Sequence, residues 1–199
     1  MYAIVENNQI TQYINYPKSV VIGDVRYPAK IFELWSTAEK EAIGIYEIVV
    51  DKTNYKDPEY YINTDSSYSF ANGQVTESWG TATAKQLDDR NATDEDGNEL
   101  DPVVVIEGLK TIHKRIIKEQ ASNLLAKHDW QVVKATEVSD YSVPSAVTTY
   151  RANVRTKSNE METSIDNCTT VDQLKALYEY TEDDDGNVTR PLAEFPEEI

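Results

Sequence analysis

Histidine and cysteine are almost missing from this chain, with two His and one Cys among 199 residues. A single cysteine excludes an intramolecular disulfide framework. The histidines, His113 and His128, stand fifteen positions apart, too far for two ligands of one helical metal site. Both are expected as exposed residues of one long helix. Cys168 has no base and no oxyanion donors near it in sequence, so it reads as a buried or inert thiol rather than a nucleophile. Glycine is scarce too: there are 7, none clustered, which excludes a glycine-rich phosphate loop. Long apolar runs are absent, and nothing approaches the roughly 18 residues that span a bilayer. Met1 to Val5 has neither the basic start nor the apolar centre of a signal peptide. No membrane partner is expected, and the chain should stay in a cytoplasm or enter a particle assembled there. The three Asn-x-Ser/Thr sites, at Asn91, Asn167 and Asn187, are then chance matches.

Cations are outnumbered, 19 Lys plus Arg against 35 Asp plus Glu, for a net charge of −16. That balance repels phosphate backbones, so no nucleic-acid partner is expected. The densest basic cluster is Lys110, His113, Lys114, Arg115 and Lys118. Glu119 interrupts it, and it reads as a solvated helix face. Carboxylates are so common that no pair stands out as an acid/base couple. The acidic turns around Gly97 and Gly186 fail as EF-type calcium loops. Their end ligands would have to be Ala92 and Val103, or Thr181 and Leu192. No cofactor, metal ligand or catalytic residue is expected. A small hydrolase or carbohydrate-active enzyme is the remote alternative to a non-enzymatic binding protein.

What is present reads as α+β: a small N-terminal β-rich domain with one inserted helix, then an α-helical hairpin module. Tyr2–Val5 and Gln9–Ile14 flank a polar turn, and Ser19–Tyr27 breaks into two short strands at Gly23-Asp24. Ile31, Phe32, Leu34 and Trp35 crowd a helical turn after Pro28. Ser36-Thr37-Ala38-Glu39 is a capping box that opens a helix to about Ile43, closed by Gly44. Strands follow at Ile45–Val50, Tyr60–Ile62, Tyr68–Phe70 and Gln74–Trp79, the last two joined by Asn72-Gly73, a strong hairpin turn. The β-rich domain is placed at 1–86, an acidic linker or protruding hairpin at 87–102, the helical module at 103–180 and an acidic tail at 181–199. In the module, apolar residues recur at helical spacing from Ile106 to about Lys127, and Asp129-Trp130 ends that run. A loop from Lys134 to Val143 leads to Pro144 and a second helix, with Val147, Tyr150, Val154, Met161 and Ile165 on one face. Thr170-x-x-Gln173 is a second capping box. Asp-Gly-Asn occurs at both Asp96 and Asp185, a faint internal repeat.

Two surfaces are candidates for contact with other proteins. The first helix sets Ile112 and Ile116 with Leu109 and Leu124, and Ile117 and Leu125 widen that stripe beyond what the second helix covers. Self-association or attachment to a neighbour is expected there. In the β-rich half, Tyr60 and Tyr61 belong to a group of tyrosines suited to a contact surface, or to covering a thin sheet.

Two segments carry a resemblance. The first runs Leu34-Trp35-Ser36-Thr37-Ala38-Glu39-Lys40-Glu41-Ala42-Ile43-Gly44-Ile45-Tyr46-Glu47-Ile48-Val49. It resembles a capped helix passing through Gly-Ile/Trp-Tyr into a strand in small phage tail proteins. The second joins Leu124-Leu125-Ala126-Lys127-His128-Asp129-Trp130 to Thr149-Tyr150-Arg151-Ala152-Asn153-Val154-Arg155. It is similar to the "LLAxTDW…YRxxLR" helix pair of phage tail-fibre assembly proteins and some fibre or baseplate proteins, with His128 in place of Thr and Val154 in place of Leu. The resemblance implies a structural interaction protein of a bacteriophage tail, located in the virion after assembly in the host cytoplasm. Its partners would be other tail proteins, and it would form a homo-oligomer. The alternative is a tail-fibre assembly chaperone that is not retained. No catalytic residue transfers. Arg151 and Arg155, four apart, would pair with Asp129 or with a partner's carboxylate.

Overall fold

The computed structural model describes residues 1–199. It is α+β, and it divides into two compact units, Met1–Thr83 and Ala84–Ile199.

In the first unit, β1 (Tyr2–Glu6) and β2 (Gln9–Ile14) form a hairpin. Its turn residues Asn7 and Asn8 both have positive φ, the backbone a tight primed turn requires. A small hairpin follows, β3 (Val20–Ile22) with β4 (Val25–Tyr27), then two short helices, α1 (Ile31–Leu34) and α2 (Thr37–Glu41). The chain continues through β5 (Ile45–Asp51), β6 (Tyr61–Ile62), β7 (Ser66–Ala71) and β8 (Gln74–Trp79), and β9 (Thr83–Ala84) lies at the boundary. Five strands form one sheet in the order β2-β1-β5-β8-β7. Its pairings are antiparallel except for β5 with β8, which are parallel.

Strand β1 lies inside the sheet between β2 and β5, and its side chains alternate between two apolar clusters. Ile4 points to a cluster with Ile14, Val20, Ile31, Phe32 and Ile45, while Ala3 and Val5 point to Ile48 and Val75 on the opposite face. Both faces of the strand are therefore buried. The sheet curls far enough that Tyr13 of β2 and Tyr68 of β7, on its two outer strands, bring their rings to 4.8 Å. The capping box forms as expected: the Ser36 hydroxyl accepts from the Glu39 amide, and the Glu39 carboxylate accepts from the Ser36 amide at 2.8 Å. The Ser36 hydroxyl also lies 2.7 Å from that carboxylate, and its bond, followed by that of the Ser36 amide, holds the Glu39 carboxyl below its usual range. Lys40 is buried, its ammonium 4.9 Å from the centre of the Tyr2 ring, which packs in turn on Phe32.

The second unit opens with a hairpin. β10 (Arg90–Asn91) pairs with β11 (Val105–Ile106), and a bridge joins Thr93 to Glu99. Helices α3 (Leu109–Ala126), α4 (Asp129–Glu137), α5 (Ser145–Asp166) and α6 (Val171–Ala176) follow, then a last hairpin of β12 (Thr181–Glu182) and β13 (Val188–Thr189). Four sequence expectations are corrected. The first long helix begins at Leu109 rather than Ile106, because Ile106 is paired with Arg90 and Gly108 has an extended backbone. The loop expected from Lys134 begins only after Glu137, since a new helix, α4, starts at Asp129 with that carboxylate in its first turn. Trp130, which the resemblance would fold back on the helix end, instead stands exposed. Thr170 caps α6 by accepting from the Gln173 amide, but Gln173 reaches Thr169 rather than Thr170, so the box is displaced by one residue.

The segment from 181 onward is also docked rather than loose. The Leu192 amide donates to the Leu177 carbonyl, Leu192 is fully buried, and Phe195 packs on a cluster of Ala121, Tyr150 and Val154. The two acidic turns have one geometry. Asp94 and Asp183 each accept from the amides two and four residues ahead, with Gly97 and Gly186 left-handed.

The tightest backbone approach in the first unit is at Gly44. Its φ is +84°, its carbonyl accepts from the Val5 amide at 2.8 Å, and a Cβ would lie 2.6 Å from the Val5 carbonyl oxygen. Gly44→Ala is expected to destabilise this unit by about 2 kcal/mol or more. Thermal or urea unfolding checks this, and an unchanged midpoint would refute the packing argument.

Candidate functional interface between two long helices

Helices α3 and α5 pack through stripes of four-residue and three-residue spacing. On α3 the buried residues are Leu109, His113, Ile117 and Ala121. On α5 they are Val147, Tyr150, Val154, Ser158, Met161 and Ile165, as the apolar periodicity indicated. The α3 stripe is turned by one residue from the expected one. Ile117 is interior, Ile112 and Leu125 are half-buried and Ile116 is exposed. The cause is His113. Its imidazole lies against the Tyr178 ring with Nδ1 3.0 Å from the phenol oxygen, so a polar side chain fills an inward position normally kept for an aliphatic. The spacing Leu109-His113-Ile117-Ala121 was visible in sequence, but a histidine in it argued for the other face.

His128 is buried as well, edge-on to Tyr150 with ring centres 5.4 Å apart, so neither histidine is the exposed residue expected. Cys168 is buried, donates weakly to the Ser164 carbonyl, and has its thiol pKa pushed up by burial, the opposite of an activated nucleophile. Tyr60 and Tyr61 are interior too. A turn at Asp57, whose carbonyl accepts from both their amides, carries them inward, so they are not available as surface contacts.

Three of the remaining candidates, Leu125, Arg151 and Arg155, converge, whereas Ile112 and Ile116 lie outside the place where they meet. A cleft of about 490 Å³ is lined by Lys118, Ser122, Leu125, Asp129, Arg151 and Arg155, with Ser158 and Asn159. Arg151 is the fixed element. Its Nη1 donates to the Leu125 carbonyl at 2.6 Å, and its Nη2 lies 2.7 Å from an Asp129 carboxylate oxygen. Arg155 is exposed and donates to the Arg151 carbonyl at 3.3 Å. Lys118, across the cleft, pairs with Glu162 at 3.1 Å while staying well exposed. The lining residues Lys118, Ser122 and Asn159 were missed in sequence. Their four-residue steps, Lys118 to Ser122 and Arg151 through Arg155 to Asn159, were the available clue. Chemically the cleft offers guanidinium and ammonium donors beside an aliphatic wall, suited to carboxylate side chains of another polypeptide.

Comparison with known proteins gives no match among family models, curated proteins or solved structures.

Two substitutions separate structure from surface at this cleft. Arg151→Met should cost about 1–3 kcal/mol, because it removes the charged, half-buried donor from the Leu125 carbonyl, which keeps only main-chain donors such as the His128 amide at 3.1 Å. The ion pair itself contributes little, since Asp129 is more than half exposed. Arg155→Ala should stay within about 0.5 kcal/mol of the parent, as exposed substitutions do. Chemical unfolding of both variants is the check, and equal stabilities would remove Arg151 from its pinning role.

Proposed function

We propose that this chain is a structural interaction protein of a bacteriophage tail, a fibre, baseplate or adaptor component that binds other virion proteins and itself. One observation carries the reading. The two halves of the segment that resembles phage tail proteins lie some twenty residues apart in sequence. Yet Leu125 and Asp129 from one half and Arg151 and Arg155 from the other line a single cleft. A motif whose polar members meet at a surface, one of them locked and one exposed, is suited to presenting charge to a partner. Exposed Ile116 on α3 adds apolar contact area. Binding rather than turnover fits the titratable inventory, since His113, His128 and Cys168 are enclosed in the helical unit and none lines the cleft.

The test is mass spectrometry of purified mature particles, followed by exchange of the parent for Lys118→Glu with Arg155→Glu. Both residues are exposed, so the variant should fold with an unchanged melting curve. Reversing two interface charges should lower its incorporation by about tenfold or more. Full incorporation of the folded double variant would exclude the cleft as the attachment site. Absence of the parent from particles, with loss of fibres on deletion, would replace the virion reading with that of an assembly chaperone.

A further inference from the structure

Strand β11, together with the two valines that lead into it, is apolar and uncovered. Val103, Val104, Val105 and Ile106 are exposed by 56, 49, 56 and 39%. In a strand, alternate side chains point to opposite faces, so both faces of this run meet solvent. Only one edge of β11 is paired: the hairpin is a two-stranded sheet, with Arg90 opposite Ile106 and Asn91 opposite Val105. The Ala92 amide donates to the Val104 carbonyl at 2.7 Å. In an antiparallel ladder bonded and non-bonded pairs alternate, so the N–H and C=O of Val105 point away from β10 to the open edge. An exposed aliphatic strand with an unused edge is a template for pairing with another chain.

The charge around it says what that chain must be. Residues 88–101 carry Asp88, Asp89, Asp94, Glu95, Asp96, Glu99 and Asp101, with Arg90 as the one cation. Asp88 pairs with Lys110, and the Asp94 carboxylate is occupied by the turn amides. Glu95, Asp96 and Asp101 face solvent. A second copy would set this acidic hairpin against its own like charge. We propose that β11 is a docking edge for an extended segment of another protein, apolar at alternate positions and carrying Lys or Arg between them. The main chain of Val105 would supply the hydrogen bonds, the valines the apolar contact, and the carboxylate frame the selection for a basic partner. This surface rests on observations separate from the α3–α5 cleft.

The probe is a short peptide of alternating Lys and Val, titrated into the full chain by fluorescence anisotropy, with a Glu and Val peptide as control. The Lys peptide is expected to bind and to weaken as salt rises, and the Glu peptide to stay free. Val105→Pro removes the outward N–H without touching the β10 ladder, so it should weaken binding by about tenfold or more at an unchanged melting temperature. Should that variant fail to fold, Glu99→Lys with Asp101→Lys decides, by shifting preference from the Lys to the Glu peptide. No binding by the parent, equal binding of both peptides, a folded Val105→Pro that binds like the parent, or an unshifted preference in the charge variant would each overturn the proposal. So would a dimer seen by sedimentation that Val105→Pro abolishes, because the occupant would then be a second copy.

Discussion

The helical unit turns on one guanidinium. The last carbonyls of a helix have no partner within it, and α3 ends where α4 begins, with only Lys127 and His128 between. Arg151, projecting from α5, donates to the Leu125 carbonyl near the end of α3 and to the carboxylate of Asp129 in the first turn of α4. A planar cation with five donors satisfies both groups at once, each from a separate nitrogen of one rigid fork. Three helices are thereby fixed in relation to one another, and Arg155, one turn further along α5, is set at the rim of the same cleft. The packing beneath, with Ala121, Tyr150 and Val154 under Leu124, Leu125 and Phe195, supplies the apolar part of the junction.

The opposite end of α3 depends on close backbone approach rather than charge. Its first amides donate to main-chain carbonyls, Leu109 to Gln86 and Lys110 to Leu87, while the Gly108 amide donates to the Asp89 carboxylate. A Cβ on Gly108 would lie 2.4 Å from the Asp88 carbonyl carbon, so the crossing chain leaves room for glycine alone. The bond to the Gly108 amide is the main cause of a lowered pKa at Asp89. Because that carboxyl titrates below its unfolded value, its stabilising contribution is present above the ordinary carboxylate range and is lost as pH falls through the folded value. The stretch taken from sequence as linker or protruding hairpin thus includes the residues that cap the long helix.

Local chemistry was legible in the sequence and tertiary rotation was not. The Asn72-Gly73 turn, the Ser36–Glu39 box and the inward face of α5 depend on neighbours within a few positions, and all three form as expected. The face of α3 was misjudged because the buried His113 is met by Tyr178, sixty-five positions away. Tyr60 and Tyr61 were offered as surface for a related reason: composition says that tyrosine suits an interface, and only the turn at Asp57 says which way these two face. At the cleft, Asp129 was foreseen as one carboxylate that Arg151 and Arg155 could pair with, and Arg151 takes it. The role of the Leu125 carbonyl was not foreseen, because a main-chain acceptor has no letter in the sequence.

The order of the five-stranded sheet also has a kinetic meaning. Its two hairpins, β1–β2 and β7–β8, close across turns of two residues, the fastest class of strand pairing. Strand β5 has no such local partner. It joins β1 by pairs such as Ile4 with Ile45, and it joins β8 by pairs such as Ile48 with Val75 in the parallel sense, so the chain must close far longer loops before either pairing repays them. The seven residues of β5 are therefore expected to be where two early-formed pieces meet, with that meeting the slower step. Amide protection after rapid dilution from denaturant reads the order directly: the hairpin amides should be guarded before those of Ile45 to Asp51, and the reverse sequence would show that the sheet grows outward from its centre.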